Sequence, residues 1–153
     1  MKKVIKAMSP VLLISMLLIG CTKNTDAPSS NSPDVANPSS TVVAGKWVIA
    51  SYTQRTEDKT GQFAGFTFVF DQGGQVTATQ NGEVTSGTWS YSPSSVGYYG
   101  GAPTKASMTI NLGTGKALKN LTRTWNVLSN EASKLSLINP EPLEGENLVF
   151  TKQ

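Results

Sequence analysis

Residues 66–70, Phe66-Thr67-Phe68-Val69-Phe70, decide the fold. Strict alternation places the three phenylalanines on one face and the residues between them on the other, which is the pattern of a β-strand with one buried side. A turn segment follows at residues 72–74, and the next strand ends at Asn81-Gly82. This pair is a strong signal for a two-residue hairpin, because both positions of a type I′ turn need positive φ. The centre of the chain therefore predicts antiparallel β-structure.

The alternation extends in both directions from this stretch. In the first strand it puts Trp47, Ile49 and Ser51 on one face and Tyr52 on the other, and after Gly45 no apolar 3.6-residue period is long enough to predict a helix. A meander of short strands is closed most simply into a barrel, which removes both exposed edges. We therefore predict an all-β fold, an eight-stranded antiparallel up-and-down barrel, with a β-sandwich as the alternative. The predicted strands are residues 45–54, 64–71, 75–80, 84–92, 104–112, 121–128, 134–138 and 147–152.

The N-terminal segment is typical of a secretory signal. Lys2, Lys3 and Lys6 precede a short apolar run at residues 11–19. That run is shorter than the roughly 20 residues that a transmembrane helix needs. We predict a lipoprotein signal peptide at residues 1–20 that does not span the membrane.

The end of this signal, Leu18-Ile19-Gly20-Cys21, resembles the lipobox of bacterial lipoproteins. The resemblance implies cleavage before Cys21 and acylation of that cysteine, which would give a stable membrane anchor. The alternative is an ordinary secretory signal followed by a chance cysteine. We expect the protein in the cell envelope, anchored by lipid. The absence of an acidic residue at Thr22 favours the outer membrane, and the side that the domain faces stays open.

Residues 21–41 predict the lipidated cysteine followed by a flexible tether. Pro28, Pro33 and Pro38 lie there among Ser and Asn, and such a segment buries too little apolar surface to offset its ordering entropy. The folded domain is predicted at residues 42–153. Because Cys21 is the only cysteine, the domain has no intramolecular disulfide and depends on its core alone.

Charge and residue types exclude several classes of function. Three of the thirteen basic residues lie in the signal, which leaves ten basic against ten acidic residues and no basic block. We therefore expect no nucleic-acid partner. We also expect a monomer that contacts the membrane through the lipid on Cys21. The chain contains no histidine, so Ser-His and Cys-His pairs and the usual transition-metal ligand sets are missing. We expect no metal and no cofactor.

Carboxylates are the remaining candidates for catalysis. Glu141, Glu144 and Glu146 cluster around Pro140 and Pro142, and paired carboxylates can act as acid and base on a glycoside. A solvated loop between two strands is the favoured interpretation of this cluster. We therefore predict no catalytic residues and a protein that is not an enzyme.

Short motifs follow one another along nearly all of residues 42–153. In chain order, they are Gly45-x-Trp47, Phe66-x-Phe68, Gly87-Thr88-Trp89, Trp125-x-Val127 and Leu148-Val149-Phe150-Thr151-Lys152. Together these motifs resemble the lipocalin-like domain of small bacterial lipoproteins. The resemblance implies an eight-stranded barrel and the binding of a small hydrophobic molecule, although fold alone does not settle function.

Arg123 is the charged residue that most needs an explanation. A period of two puts it on the same face as Leu121, Trp125 and Val127, and a guanidinium on an apolar face needs a partner. One hypothesis is that Arg123 binds the anionic head of a fatty-acid-like ligand. The alternative, which the lipocalin resemblance suggests, is that it caps the barrel end by stacking on Trp47.

Aromatic side chains supply the other candidate ligand contacts. They either line a lumen or fill the barrel as its core, while a loop at residues 93–103 offers two tyrosines for stacking on a sugar or for packing on the rim. The leading hypothesis is a lipid-anchored, non-enzymatic protein that binds a small hydrophobic or amphipathic ligand. The alternative is a cell-envelope module that binds proteins or glycans and has a filled barrel. The candidate ligand-binding residues are Trp47, Phe68, Trp89, Arg123, Trp125, Tyr98 and Tyr99.

Overall fold

The computed structural model describes residues 38–97 and 101–153, all of which belong to one compact unit. The predicted signal peptide, Cys21 and residues 22–37 of the predicted tether lie outside the described residues, as do Tyr98 and Tyr99. Among the described helices, none is long and apolar enough to cross a membrane.

Short strands make up most of the described chain. A five-residue helix, α1 (Pro38–Val42), precedes them, and two 3-10 turns, Thr60–Phe63 and Lys116–Asn120, lie in the connections. In chain order the strands are β1 (Trp47–Gln54), β2 (Glu57–Asp58), β3 (Thr67–Phe70), β4 (Gln75–Gln80), β5 (Glu83–Ser92), β6 (Ser107–Asn111), β7 (Arg123–Glu131), β8 (Lys134–Ile138) and β9 (Glu146–Lys152).

The strands close into a barrel. Consecutive strands from β3 to β9 pair antiparallel, and β9 returns to pair with β1 along its whole length. The ring closes where Trp47 of β1 meets Phe68 of β3, while β2 is a two-residue extension beside β1. Eight strands therefore form a closed antiparallel barrel in meander order, which confirms the predicted fold and excludes the β-sandwich. The predicted hairpin is also confirmed, since Asn81 and Gly82 have φ of 51° and 83°.

The barrel has two distinct ends. The α1 end carries the helix together with the connections at residues 71–74 and 132–133 and the described parts, 93–97 and 101–106, of the connection after β5. At the other end, which we call the Glu146 end, are the connections at residues 55–66, 81–82, 112–122 and 139–145. Trp47 fixes the helix, because its indole Nε1 donates a hydrogen bond of 2.8 Å to the carbonyl of the buried Val42. Residues 38–41, the last four of the predicted tether, are thus part of the folded unit.

The barrel interior is packed with the protein's own apolar side chains. Phe150 contacts Phe68 and Phe70 edge to face, with ring centroids 5.4 and 5.9 Å apart, and Phe70 contacts Trp89 at 5.6 Å. Such contacts are typical of a close-packed core. The largest fully buried side chains are Trp47, Trp125, Tyr52, Phe68, Phe70, Phe150, Met108, Ile110, Leu121, Leu135, Leu137 and Leu148.

A β-bulge changes the face of β1 partway along the strand. The register with β9 shifts between Ile49 and Ser51, so Ala50 is exposed and Tyr52 faces inward with no exposed surface. The predicted placement of Tyr52 on the face opposite Trp47 is therefore wrong. A bulge inserts one extra residue, and alternation cannot be carried past it.

Strand boundaries also differ from prediction by up to three residues, as β6 and β7 illustrate. β6 begins at Ser107 instead of residue 104, because Thr104 forms an isolated bridge with Ser95 across the loop. β7 begins at Arg123, because the preceding 3-10 turn ends at Asn120 and Leu121 is its C-cap residue. Element existence and order are as predicted, apart from the added β2, α1 and 3-10 turns.

Candidate functional site

A buried polar cluster lies at the Glu146 end of the barrel. Glu146 is the first residue of β9 and is only 1% exposed. One carboxylate oxygen accepts hydrogen bonds from the Tyr52 hydroxyl at 2.7 Å and from the Gln54 amide at 3.3 Å. The other accepts from the Asn139 amide at 2.6 Å and forms an ion pair with the Arg123 guanidinium. The cluster therefore links β1, β7, β9 and the connection before β9.

The partner that Arg123 needs is thus a carboxylate of the same chain. Its guanidinium carbon also lies 5.5 Å from the centre of the Trp125 ring, while the side chain keeps 30% of its surface exposed. The expected stacking on Trp47 is wrong, because that ring carries Lys152 at 5.1 Å at the opposite end of the barrel. Since Glu146 compensates its charge, the geometry favours a stabilising role for Arg123, and binding of an anionic ligand head stays a prediction.

Tyr52 remains a neutral donor in this cluster. Burial, together with its hydrogen bond to Glu146 and the negative charge of that carboxylate, raises the pKa of Tyr52 well above its usual value of 10. A carboxylate offers about four acceptor sites, and four donors occupy those of Glu146. The cluster therefore has the chemistry of a structural contact, because the carboxylate cannot bind a ligand without losing one of these hydrogen bonds.

The three-glutamate cluster predicted from the sequence is divided by the fold. Glu141 and Glu144 are exposed on the connection between β8 and β9, as the solvated-loop interpretation predicts, whereas that interpretation is wrong for Glu146. Alternation of Glu146 with Leu148 and Phe150 was the sequence signal for its inward orientation. Across residues 38–97 and 101–153, no group of three or more potential metal ligands comes together.

The candidate ligand-binding aromatics lie in the core. Trp47, Phe68 and Trp125 have no exposed surface, and Trp89 is 7% exposed. The indole nitrogens are all bonded to backbone carbonyls, Trp125 to Leu121 at 3.1 Å and Trp89 to Asp71 at 2.9 Å, with Trp47 bonded to α1 as described above. These side chains fill the barrel and hold its connections in place.

The α1 end carries a groove of about 500 Å³, which we call the α1 groove. Of the predicted ligand residues in the described chain, only Trp89 lines it. The loop that contains Tyr98 and Tyr99 leaves β5 at this groove, through Pro93. Apolar and small polar side chains alternate around it. The lining residues are Ser39, Ser40, Val43, Gln72, Gly74, Trp89, Ser90, Tyr91 and Pro93.

Further cavities lie at the Glu146 end, among them one of about 240 Å³ that is lined by residues 54–57 and by Lys59. A shallow groove of about 580 Å³ beside Arg123 is lined by residues that include Asn139, Glu141 and Glu144. A smaller cavity of about 160 Å³ lies between β5 and the connection at residues 112–122, with Phe66 among its lining residues. None of these cavities, nor the α1 groove, is lined by Trp47, Phe68 or Trp125.

The closed meander of eight antiparallel strands is an up-and-down barrel, the architecture that lipocalins have. Comparison of the sequence with models of protein families finds no match, and comparison with curated proteins finds none either. Similarity is found among solved structures.

One similar structure is a DUF4847 family protein from Bacteroides vulgatus, with 14% identity over 73% of this chain and 94% of the other and a TM-score of 0.51. Another is an uncharacterized protein from Bacteroides eggerthii, with 18% identity over 72% and 99% and a TM-score of 0.45. A third is a lipocalin-like protein from Bacteroides uniformis, with 20% identity over 72% and 98% and a TM-score of 0.40. At this level of identity, the first similarity supports the barrel fold alone.

Proposed function

We propose that the protein is a lipid-anchored, non-enzymatic lipocalin-like protein of the cell envelope that binds a small, neutral, amphipathic molecule in the α1 groove. The observation that carries this proposal is the contrast between the two candidate locations. The barrel interior is occupied by the protein's own aromatic side chains, whereas the α1 groove offers about 500 Å³ beside Trp89 and Tyr91.

The lining of the groove indicates the class of ligand. Small-molecule sites usually have volumes of about 300–1,000 Å³ and combine apolar or aromatic walls with a few polar groups. Trp89, Tyr91 and Val43 supply the first kind of surface, and Ser90 and Gln72 the second. No charged side chain of the described residues lines the groove. A neutral molecule with an apolar ring or chain and hydroxyl groups fits this surface better than a fatty-acid anion.

The absence of catalysis is part of the proposal, and the Glu146 cluster supports it. Acid–base catalysis needs a group that can exchange a proton with a substrate. The Glu146 carboxylate is instead buried and held by four donors of the protein itself.

Ligand binding is tested first by native mass spectrometry of the protein purified from cells, followed by titration with any released molecule under tryptophan fluorescence. We expect a bound neutral species, and roughly fivefold weaker binding in Tyr91→Ala, because an aromatic contact contributes on the order of 1 kcal/mol. Glu141→Gln, an exposed change at the opposite end, is the matched control. A clean apo mass and no saturable binding would remove the ligand from the proposal.

The lipid anchor is tested separately. Replacement of Cys21 by Ser removes the acylation site, so the protein should move from the membrane fraction to the soluble fraction and lose labelling by radioactive palmitate. Retention of the Cys21→Ser protein in the membrane fraction would contradict lipid anchoring and leave the barrel unaffected.

A second candidate function is favoured by the packed interior. Ring contacts such as Phe68–Phe150 leave the barrel as a solid scaffold, which suits a cell-envelope module that binds proteins or glycans through its rim. This second function is favoured if native mass spectrometry shows only the mass of the protein without a ligand, and if immobilised protein retains envelope glycans through the α1 end.

A further inference from the structure

The edge of β5 that faces β6 is paired over only half of the strand's length. On one side, β4 pairs with it from Gln75↔Thr88 to Gln80↔Glu83. On the other, β6 pairs only from Thr88↔Asn111 to Ser92↔Ser107. Residues 83–87 are therefore a local strand edge within an otherwise closed barrel, although closure normally removes such edges.

The end of β6 explains why the pairing stops. A Cβ atom at Gly87 would lie 2.0 Å from the carbonyl oxygen of Asn111, so the two backbones are already in close contact there. Beyond this point the chain turns away from β5, and the Leu112 amide donates to the Thr122 hydroxyl at 3.0 Å.

The hydrogen-bonding groups along this edge have a defined direction. The amide of Trp89 donates to the Gly74 carbonyl at 2.8 Å, towards the β4 side. Because directions alternate along an antiparallel strand, the N–H and C=O groups of Val84 and Ser86 point away from β4 and into the gap. Both residues are exposed, and the Val84 side chain has 60% of its surface accessible. The edge thus presents two donors and two acceptors at strand spacing.

The gap has a mixed lining, in which an apolar floor lies beside the side chains of Gln80, Glu83, Thr85 and Lys116. Phe66, Leu112 and Leu118 line the cavity of about 160 Å³ and are all at least nine-tenths buried. Across the gap from β5, a Cβ atom at Gly113 or Gly115 would meet nothing within 4 Å. The connection at residues 112–122 therefore has free space around these two glycines.

We infer that this edge binds an extended peptide segment of another protein, which pairs with residues 83–87 of β5 and places an aliphatic side chain on Phe66, Leu112 and Leu118. Only a polypeptide main chain offers donors and acceptors in the alternation that Val84 and Ser86 require. An added strand also alternates its side chains, so every second one faces the apolar floor.

Two other occupants fit less well. A second copy of the barrel would have to bring its own β5 edge into contact, but residues of the 112–122 connection line the far side of the gap, where that second barrel would have to lie. Residues 22–37 of the same chain are rich in Ser, Asn and Asp and contain Pro28 and Pro33, a composition that disfavours strands.

Hydrogen exchange of the full-length protein, measured at single-residue level, tests the inference. The probe is the acetylated and amidated heptapeptide Thr-Val-Thr-Leu-Thr-Val-Thr, added at about ten times its measured Kd. Exchange at Val84 and Ser86 should slow about tenfold, while Thr85, which already bonds to β4, should change little. The same peptide with alternate N-methylated amides, or with aspartate in place of leucine, should not protect either residue.

A pair of variants separates backbone pairing from side-chain contact. Ser86→Pro removes an N–H that faces the gap without breaking a bond to β4, so it should abolish protection, whereas Ser86→Thr should retain it. If Ser86→Pro fails to fold, the N-methylated peptide still decides. The inference is overturned if both amides are protected in the free protein, if their protection depends on protein concentration, or if the N-methylated peptide protects equally.

Discussion

Replacement of Glu146 by glutamine tests whether the buried cluster stabilises the barrel. The amide keeps one acceptor oxygen, which can still serve Tyr52 and Gln54. Its NH₂ group then faces the Asn139 amide and the Arg123 guanidinium. All three groups are hydrogen-bond donors, so both hydrogen bonds to this position are lost, and the ion pair is lost with them. Hydrogen bonds to charged groups contribute about 1.5–3 kcal/mol, and breaking a buried pair costs roughly 3–5 kcal/mol. Because Arg123 keeps 30% exposure and can be hydrated, we expect a loss near the lower limit, about 3 kcal/mol.

Urea unfolding of the two proteins measures this difference. The midpoint should fall with little change in the m-value, since the surface exposed on unfolding is nearly the same. Glu144→Gln, an exposed change two residues earlier, on the connection before β9, should stay within about 0.5 kcal/mol of wild type. A loss below about 1 kcal/mol for Glu146→Gln would mean that the cluster does not hold the barrel end together.

Two further predictions concern Gly87 and Tyr52. Gly87→Ala should destabilise the protein by about 2 kcal/mol or more in thermal unfolding, because its Cβ would lie 2.0 Å from a backbone oxygen, whereas Gly115→Ala meets nothing and should be neutral; equal effects would contradict the close contact. Because the pKa of Tyr52 is raised in the folded state, the unfolded chain loses this proton first, so stability should fall above pH 10 by up to about 1.4 kcal/mol per pH unit. Tyr52→Phe should remove that part of the pH dependence, as urea unfolding between pH 8 and 11 would show.

Local patterns were sufficient to predict the barrel. Phe66 to Phe70 and the Asn81-Gly82 turn each specify structure through nearest neighbours, and the meander order follows from short connections. The bulge at Ala50 has no such local signal, because it depends on how β1 meets β9 across a long sequence separation. Because this bulge was not predicted, Tyr52 was placed on the outer face of the barrel, whereas its side chain lies inside.

The polar cluster was only half predictable. Arg123 sits in phase with Leu121 and Trp125, so its need for a partner followed from the sequence. The identity of that partner did not, because Glu146 lies 23 residues away and reaches Arg123 only through the fold. The alternation of Glu146 with Leu148 was a usable signal, but two neighbouring glutamates on a proline-rich loop outweighed it.

The two ends of the barrel differ in a way that bears on function. At the Glu146 end, the charged cluster, the edge contact of Phe63 with Tyr52 at 5.2 Å and the Asn120–Gln62 hydrogen bond of 3.1 Å join separate connections. Because these contacts join the connections to one another, one connection cannot move without breaking contacts with the others. Opening this end as a ligand entrance would therefore cost the free energy of the whole cluster. Trp89 and Tyr91 at the α1 end line a groove that already exists, and binding there breaks no contact of the Glu146 cluster. This difference in cost is the physical reason to look for the ligand beside α1, and to expect that Glu146→Gln lowers stability while leaving affinity at the α1 groove unchanged.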